Sequence, residues 1–338
     1  MSTDSVIYLG MDDGHRDAKG TLSTGHRITI PSSAMSGLSK RISINGTKSR
    51  VFSYETAEGQ FSLGDIENAE DNAFDEYPYS AQNRAIVAHA MRVAGLDHTH
   101  QVVLVSGLPL KRFYLKGEPN KSLIKLKKAN LLRNDVVGLD GYKPPKIIRH
   151  DVLSEAIAGW VDYVIYRDES GRLVMDNDRV AQRTAIIDIG GRTTDIAVVK
   201  GWDLDFARST TEDVGMITIV NAVKDSLYDV FDGNEPTDEQ VKMAIDTGSV
   251  MFYGQPIDVQ SLVNSAVVTT VNSLKSTIKA KLKNPHDIQS VRFIGGTSKF
   301  IESHIQDWFK NQIMAENAVH ANADGMAKYA EFVMGTRK

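Results

Sequence analysis

Cysteine is absent from the 338-residue sequence, which removes disulfides, thiolate metal sites and thiol nucleophiles together and suits a reducing compartment. No run of about 18 apolar residues occurs and no charged-then-apolar leader opens the chain, so neither a membrane span nor secretion is expected. Excess charge of one sign is missing too: the formal net charge is −4, which gives no reason to expect a protein that wraps nucleic acid. With 41% hydrophobic and 24% charged residues, no stretch is polar enough to stay unfolded. What remains is a globular protein, expected in the cytoplasm, whose length suits two domains with a ligand cleft between them.

The chain opens as sheet. Val6–Met11 reads as a buried strand stopped by Asp12-Asp13-Gly14, and Arg27–Pro31 as another after a turn. From Ile42 to Leu63, short alternating runs separated by Asn45-Gly46 and Glu58-Gly59-Gln60 predict hairpins and a small β-rich subdomain. Ile86, Val87, Ala90, Met91 and Ala94 recur at helical spacing over Ser80–Ala94, and Gln101–Val105 returns as a continuous buried strand. After Pro144-Pro145 a helix is expected over Val152–Ile165, with Ile157, Trp160, Val161 and Val164 on one face and Glu155 off it. Beyond a polar stretch, Arg167–Arg183, the strands Ala185–Ile189 and Ile196–Val199 enclose Gly190-Gly-Arg-Thr-Thr194, much like the unit at the start of the chain. Helices follow at about Thr218–Tyr228, Thr237–Ile245 and Leu262–Leu282, then a strand at Val291–Ile294 and a last helix from about Gly325. This alternation makes an α/β protein whose halves divide near Gln182.

The sharpest chemical signal is Asp188-Ile-Gly-Gly-Arg-Thr-Thr-Asp195. Two glycines followed by hydroxyls turn backbone N–H groups toward an anion, and the flanking carboxylates suit Mg²⁺ held through water. Asp12-Asp-Gly14 with Lys19 downstream is weaker alone, since a plain turn explains it as well. Paired, the two hairpins each end a strand with an acid beside a glycine and would face each other across one metal-bound triphosphate. Gly295-Gly-Thr297, after a strand, would let backbone approach a flat ligand closely. His98 and His100 read as loop residues rather than metal ligands, because no cysteine or clustered acid accompanies them. The basic run Lys121–Arg133 reads as a solvated cationic face, and Val267, Val268, Val271, Leu274, Ile278 and Leu282 as core. Tyr329–Met334 reads as packing, being too short for a membrane anchor.

The order of these pieces resembles the actin, Hsp70 and sugar-kinase superfamily along the whole chain: acid–glycine hairpin, helix with an inward acid, second hairpin, Gly-Gly after a strand, terminal helix. Val105-Ser-Gly-Leu-Pro-Leu110 with Phe113-Tyr114, Glu118-Pro-Asn120 and Lys127-Lys-Ala-Asn130 is similar to the plasmid-segregation ParM (StbA) branch in particular. The resemblance implies an actin-like fold, two RNase H-like lobes around a nucleotide cleft with a small β-rich subdomain inserted in the first. Residues 1–181 would form the first lobe, with an insertion at about 32–80 and completion by a C-terminal helix at about 322–338. Residues 182–321 would form the second, with a smaller insertion at about 229–260.

By the same resemblance Asp12, Asp13, Gly14, His15 and Arg16 match the first phosphate motif, and Lys19 the lysine that reaches the phosphates. Glu155, in Leu153-Ser-Glu-Ala-Ile-Ala-Gly159, matches the first connecting helix, and Ala321-Asn-Ala-Asp-Gly325 the second connection. Asp188 with Gly190, Gly191, Arg192, Thr193, Thr194 and Asp195 matches the second phosphate motif; Gly295 and Gly296 match the adenosine motif, with Gly215 and Thr297 also on the nucleotide. The ligand implied is ATP, with GTP the open alternative, and Mg²⁺ held largely through water by Asp12 and Asp188. Catalytic roles fall to Glu155, which would orient the attacking water, and to Asp188. His15 and Arg16 stand where relatives usually carry a Ser or Thr and a small polar residue, so a hydroxyl contact is missing there and Arg16 is available as a substitute cation. Ser154 and Thr297 depart from a common proline and a common small residue. The activity implied is ATP hydrolysis coupled to head-to-tail polymerisation. The filament ends would be captured by an adaptor protein on centromere-like plasmid DNA, with no direct DNA contact and no membrane. A small-molecule kinase of the same fold and a nucleotide scaffold without turnover are the alternatives.

Overall fold

A computed structural model of the chain describes residues 6–39, 51–64, 66, 69–70, 72, 74–283 and 285–336. Two sheets carry the fold. The first runs in the order Lys146–Ser154, Gln101–Leu108, Val6–Asp13, Asp17–Leu22, Arg27–Pro31. Its central strand, Val6–Asp13, is parallel to Gln101–Leu108 and forms an antiparallel hairpin with Asp17–Leu22. The second sheet repeats the plan: Arg183–Ile189 forms a hairpin with Thr194–Lys200 and lies parallel to Ser290–Ile294, with Gln312–Met314 beyond. The likeness expected of two turns is thus a likeness of two sheets. Val102, Leu104 and Val105, like Ala185, Ile186 and Ile187, are buried without alternation, as strands covered on both faces must be.

A separate antiparallel sheet joins Val137–Gly138, Val51–Thr56, Gly59–Gly64 and Ala34–Ser36. The turn expected at Glu58-Gly59 connects two of these strands, whereas the one at Asn45-Gly46 lies outside the described residues. Ser80 caps the helix Ala81–Val93 by accepting from Asn83 N.

Five readings are corrected. Asp17–Leu22 is a strand that its sequence hides, since Asp17, Lys19 and Gly20 break the apolar alternation. Val152–Ser154 ends a strand rather than starting a helix, because this segment pairs with Ser106–Leu108 and the helix begins at Glu155. The polar stretch after Arg167 holds a short strand, Leu173–Met175, and a helix, Asn177–Ala181, capped by Asp176. The last helix begins at Ala321, four residues before Gly325. Val268 is exposed, although its neighbours Val267 and Val271 are core.

Two helices join the sheets. Glu155–Val164 lies on the second sheet, Ala321–Tyr329 on the first, and the two pack against each other. A side chain at Gly325 would overlap the Ala158 carbonyl, so the crossing brings backbone against backbone and admits only glycine. Arg27, from the third strand, forks onto Asp324 while Thr21 Oγ1 donates to the same carboxylate at 2.8 Å, fixing the second helix over the first sheet.

Gly325→Ala is expected to lower stability by at least about 2 kcal/mol in urea unfolding; a change under about 0.5 kcal/mol would mean the helices do not meet so closely. A second expectation concerns acid. His150 hydrogen-bonds Ser106 Oγ through Nε2 at 2.9 Å. Burial, with the charges of Lys127 and Lys128, pushes it down from 6.5 to about 4, against the opposing pull of Asp13 and the Lys128 carbonyl. The unfolded chain therefore takes a proton between these values and the native one does not, so stability present above pH 6.5 is lost as pH falls toward 4. Replacing His150 with Asn should remove roughly 1 kcal/mol of the wild-type loss between about pH 7.5 and 5.5; an unchanged acid limb would contradict the assignment.

Candidate functional site

Each sheet's hairpin ends in an acid. In the first, Asp12 lies directly across from Lys19, so both side chains leave the same face of the sheet. In the second, Asp188 lies across from Asp195. The two turns meet in one cleft, lined by Asp12, Asp13, Gly14, His15, Arg16 and Lys19 from one side and by Asp188, Gly190, Gly191, Arg192 and Thr193 from the other. Glu155, Gly295, Gly296 and Thr297 line it as well. Gly295 has a φ of 93°, and a side chain there would strike Asp188.

Three expected residues face elsewhere. Thr194 Oγ1 donates to the Val214 carbonyl at 2.7 Å. Gly215 lies behind the second hairpin, where it lets Met216 N and Ile217 N donate to Gly190 O and Gly191 O at 3.2 and 2.8 Å. Asp195 is buried and accepts from Leu110 N at 3.0 Å and from Thr211 Oγ1, while Lys111 N donates to Thr211 Oγ1 at 2.9 Å. It holds the backbone at the start of the short helix Leu110–Phe113, which follows a strand of the first sheet, and does not line the cleft.

Asp13 lines the cleft, but its carboxylate is already engaged. Lys127 Nζ donates to both of its oxygens at 2.8 Å and to Gly107 O at 2.6 Å, and Asn83 Nδ2 donates to it at 2.6 Å. Lys127 is an exception to the solvated face expected of Lys121–Arg133, since its side chain is 2% exposed. Asn322 carries a role that residue order hides. Its Nδ2 donates to Asp188 Oδ2 at 2.6 Å, from the first turn of the Ala321–Tyr329 helix. Lys127 shows one faint sign, the apolar residues Leu123, Ile124 and Leu131 at helical spacing from it; Asn322 lies in the run matched to the second connection, whereas Arg112 and Tyr77, which also line the cleft, show no sign.

The floor of the cleft is acidic. Burial raises Asp12, with Asp13 adding repulsion and Lys19 opposing. Burial pushes Asp188 up to about 6 and the charge of Asp12 adds to it. Burial also drives Glu155 well above the usual carboxylate range, reinforced by Asp12, Asp195 and Asp188. Carboxylates crowded in this way are relieved by a cation. Among the described residues no three His, Cys, Asp or Glu side chains group as metal ligands; Asp12 and Asp188 are the kind of donors that Mg²⁺ takes, one or two carboxylates plus water and phosphate oxygens. The rim is basic, with Arg16, Arg112 and Arg192. His15 is pushed down to about 4, first by burial and then by Arg192 and Arg112, so its imidazole is neutral near pH 7. A polyanion carrying a divalent cation matches this division of charge.

Residues 7–162 match the family described as plasmid segregation protein ParM, N-terminal, and residues 186–307 match archaeal actin homologue MreB-like, C-terminal. A crystal structure of an archaeal actin homologue superposes with a TM-score of 0.77 at 18% identity, covering 96% of this chain and 99% of the other. A 15-stranded ParM filament from Clostridium botulinum superposes equally well at 19% identity, with 97% and 99% covered. The archaeal homologue in complex with ADP gives a TM-score of 0.75 at 19% identity, with 96% and 99% covered. No curated protein matches the chain by sequence. Two hairpin-bearing sheets around a shared cleft, and these likenesses across nearly the whole length, give the chain an actin-like fold. Over residues 7–162 the chain is similar to the ParM (StbA) N-terminal family.

Lys127→Met would leave the Asp13 carboxylate buried without its counter-charge. Denaturation should show a loss of about 3 kcal/mol or more, and adding Asp13→Asn should restore much of it. An additive double variant would show that the two side chains do not depend on each other.

Proposed function

We propose that this chain binds and hydrolyses ATP, that its ATP-bound subunits stack head to tail into filaments, and that the filaments separate plasmid copies. The observation that carries the reading is the convergence of two acid–glycine hairpins, one per sheet, on a single cleft that Glu155 also faces. The ParM-like first half, a ParM filament among the structural relatives and an ADP-bound actin homologue support it. In this reading the lobes are residues 1–181, completed by the C-terminal helix at 322–338, and 182–321, with insertions at about 32–80 and 229–260. The protein works in the cytoplasm; among the described residues no helix is long and apolar enough to cross a membrane.

Asp12 and Asp188 would hold a hydrated Mg²⁺, which would supply neutralisation of the charge spreading over the transferring phosphoryl oxygens. Lys19 and the N–H groups of the two turns bind the phosphates, and Gly295, Gly296 and Thr297 lie against the adenosine. Glu155 orients the attacking water and takes its proton as the bond to the departing ADP breaks. Its raised affinity for protons suits that task, because bound cations would draw it back toward neutrality. Filament growth follows from a contact that repeats without closing, and hydrolysis weakens that contact. An adaptor protein on centromere-like DNA captures the ends, so a chain of net charge −4 serves DNA without touching it.

Light scattering separates this reading from its rivals. Purified protein should scatter on addition of ATP with Mg²⁺, release phosphate and then decay, and should not scatter with ADP. Consumption of a small-molecule acceptor by a monomer would mean a kinase, and binding without phosphate release a scaffold. Glu155→Ala should bind ATP normally and hydrolyse it roughly a hundredfold more slowly; failure to bind ATP would rule out its role in positioning the water.

A further inference from the structure

Most of the positive charges lining the cleft are already engaged. Lys127 sits on Asp13 and Gly107 O. Arg112 Nη2 donates to Asp75 O. Lys19 lies across from Asp12, its charge opposes the upward shifts of Asp12 and Asp188, and its ammonium lies 3.8 Å from where a Gly296 side chain would begin. Two guanidinium groups remain. Among the described residues the Arg16 guanidinium has one charged neighbour, Asp17 at 3.6 Å, beyond direct hydrogen-bond reach, and more than half its side chain is exposed. Arg192 is exposed at the mouth of the cleft and has no hydrogen-bond or ion-pair partner among the described residues.

These two residues occupy matching places. Arg16 follows Asp12 by four positions and Arg192 follows Asp188 by four, with Gly14 and Gly190 two after each aspartate. The duplicated hairpin therefore carries a duplicated arginine, one from each lobe. Arg16 also reaches the second turn: a side chain on Gly191 would stand 2.9 Å from Arg16 Cβ and 3.7 Å from its Cδ, so the aliphatic stem of Arg16 lies across the backbone beside Arg192. Two exposed like charges, one on each turn at the mouth of one cleft, favour an anion between the turns. A planar guanidinium reads phosphate oxygens in pairs, which a hydroxyl in its place would not do.

We propose that Arg16 and Arg192 form a two-armed clamp on the terminal phosphate of a nucleoside triphosphate, so that this cleft distinguishes triphosphate from diphosphate by arginine rather than by hydroxyl contacts. The inference rests on the proposed nucleotide binding and adds to it the residues that set the distinction. Both arms close only when a third phosphate lies between the turns, because the groups that hold the metal and the inner phosphates lie deeper. The clamp also joins the lobes, since each arm belongs to a different sheet.

The test is equilibrium binding of ADP and of a non-hydrolysable ATP analogue, each with Mg²⁺, at protein concentrations where light scattering stays flat. Wild type should prefer the triphosphate. Arg16→Gln and Arg192→Gln should each lower analogue affinity roughly tenfold or more, with ADP affinity held within about twofold. The double lysine variant, Arg16→Lys with Arg192→Lys, keeps the charge and should recover part of the preference, which also guards against a folding defect. An equal fall for both nucleotides, an unchanged ratio in the variants, or no preference in wild type would overturn the clamp alone. Wild-type protein that binds neither nucleotide would overturn nucleotide binding itself.

Discussion

The crossing of two helices, backbone to backbone, is the constraint on which the rest depends. Glu155–Val164 lies on one sheet and Ala321–Tyr329 on the other, and Gly325 lets them touch at Ala158. Because the contact admits no side chain, the sheets are held at a set spacing rather than a soft one. Both helices begin at the cleft: Glu155 opens the first, and Asn322 in the first turn of the second holds Asp188. The distance between the two acidic turns is thus fixed from beneath, by residues that bind nothing themselves.

Above that frame, charge is sorted by depth. The carboxylates of Asp12, Asp188 and Glu155 are forced together on the floor, where burial raises all three. A polypeptide gains nothing from such crowding unless a ligand relieves it. Asp13, one residue from Asp12, is withdrawn from the group by a buried lysine and an asparagine. Neighbouring acids with the same side chain therefore differ in kind: one is open to a cation, the other is part of the scaffold.

Much of this is legible from residue order, for physical reasons that differ by region. The second hairpin turn stands out because acid, glycine and hydroxyl are local turn chemistry and need no distant partner, and the first, acid beside glycine without a hydroxyl, gains its meaning from the pairing. Long buried strands such as Arg183–Ile189 stand out because covering on both faces leaves an unbroken apolar run. Asp17–Leu22 does not, since it serves the site with Asp17 and Lys19 and so lacks a clean period. Lys127 and Asn322 stand in runs that the resemblance picks out, but their individual roles are illegible because they lie in partners 114 and 134 positions away. Asp195 is a subtler case. Its place in the second motif is conspicuous, yet the fold turns it toward Leu110, a direction that no spacing along the chain encodes.

The tie from Asp195 and Thr211 to Leu110 and Lys111 bears on how the molecule can move. These bonds stitch the two halves together just outside the cleft lining. The four-residue helix they hold, Leu110–Phe113, carries Arg112 back into the cleft. A strain on one half would accordingly be passed through that helix to a charge that lines the cleft.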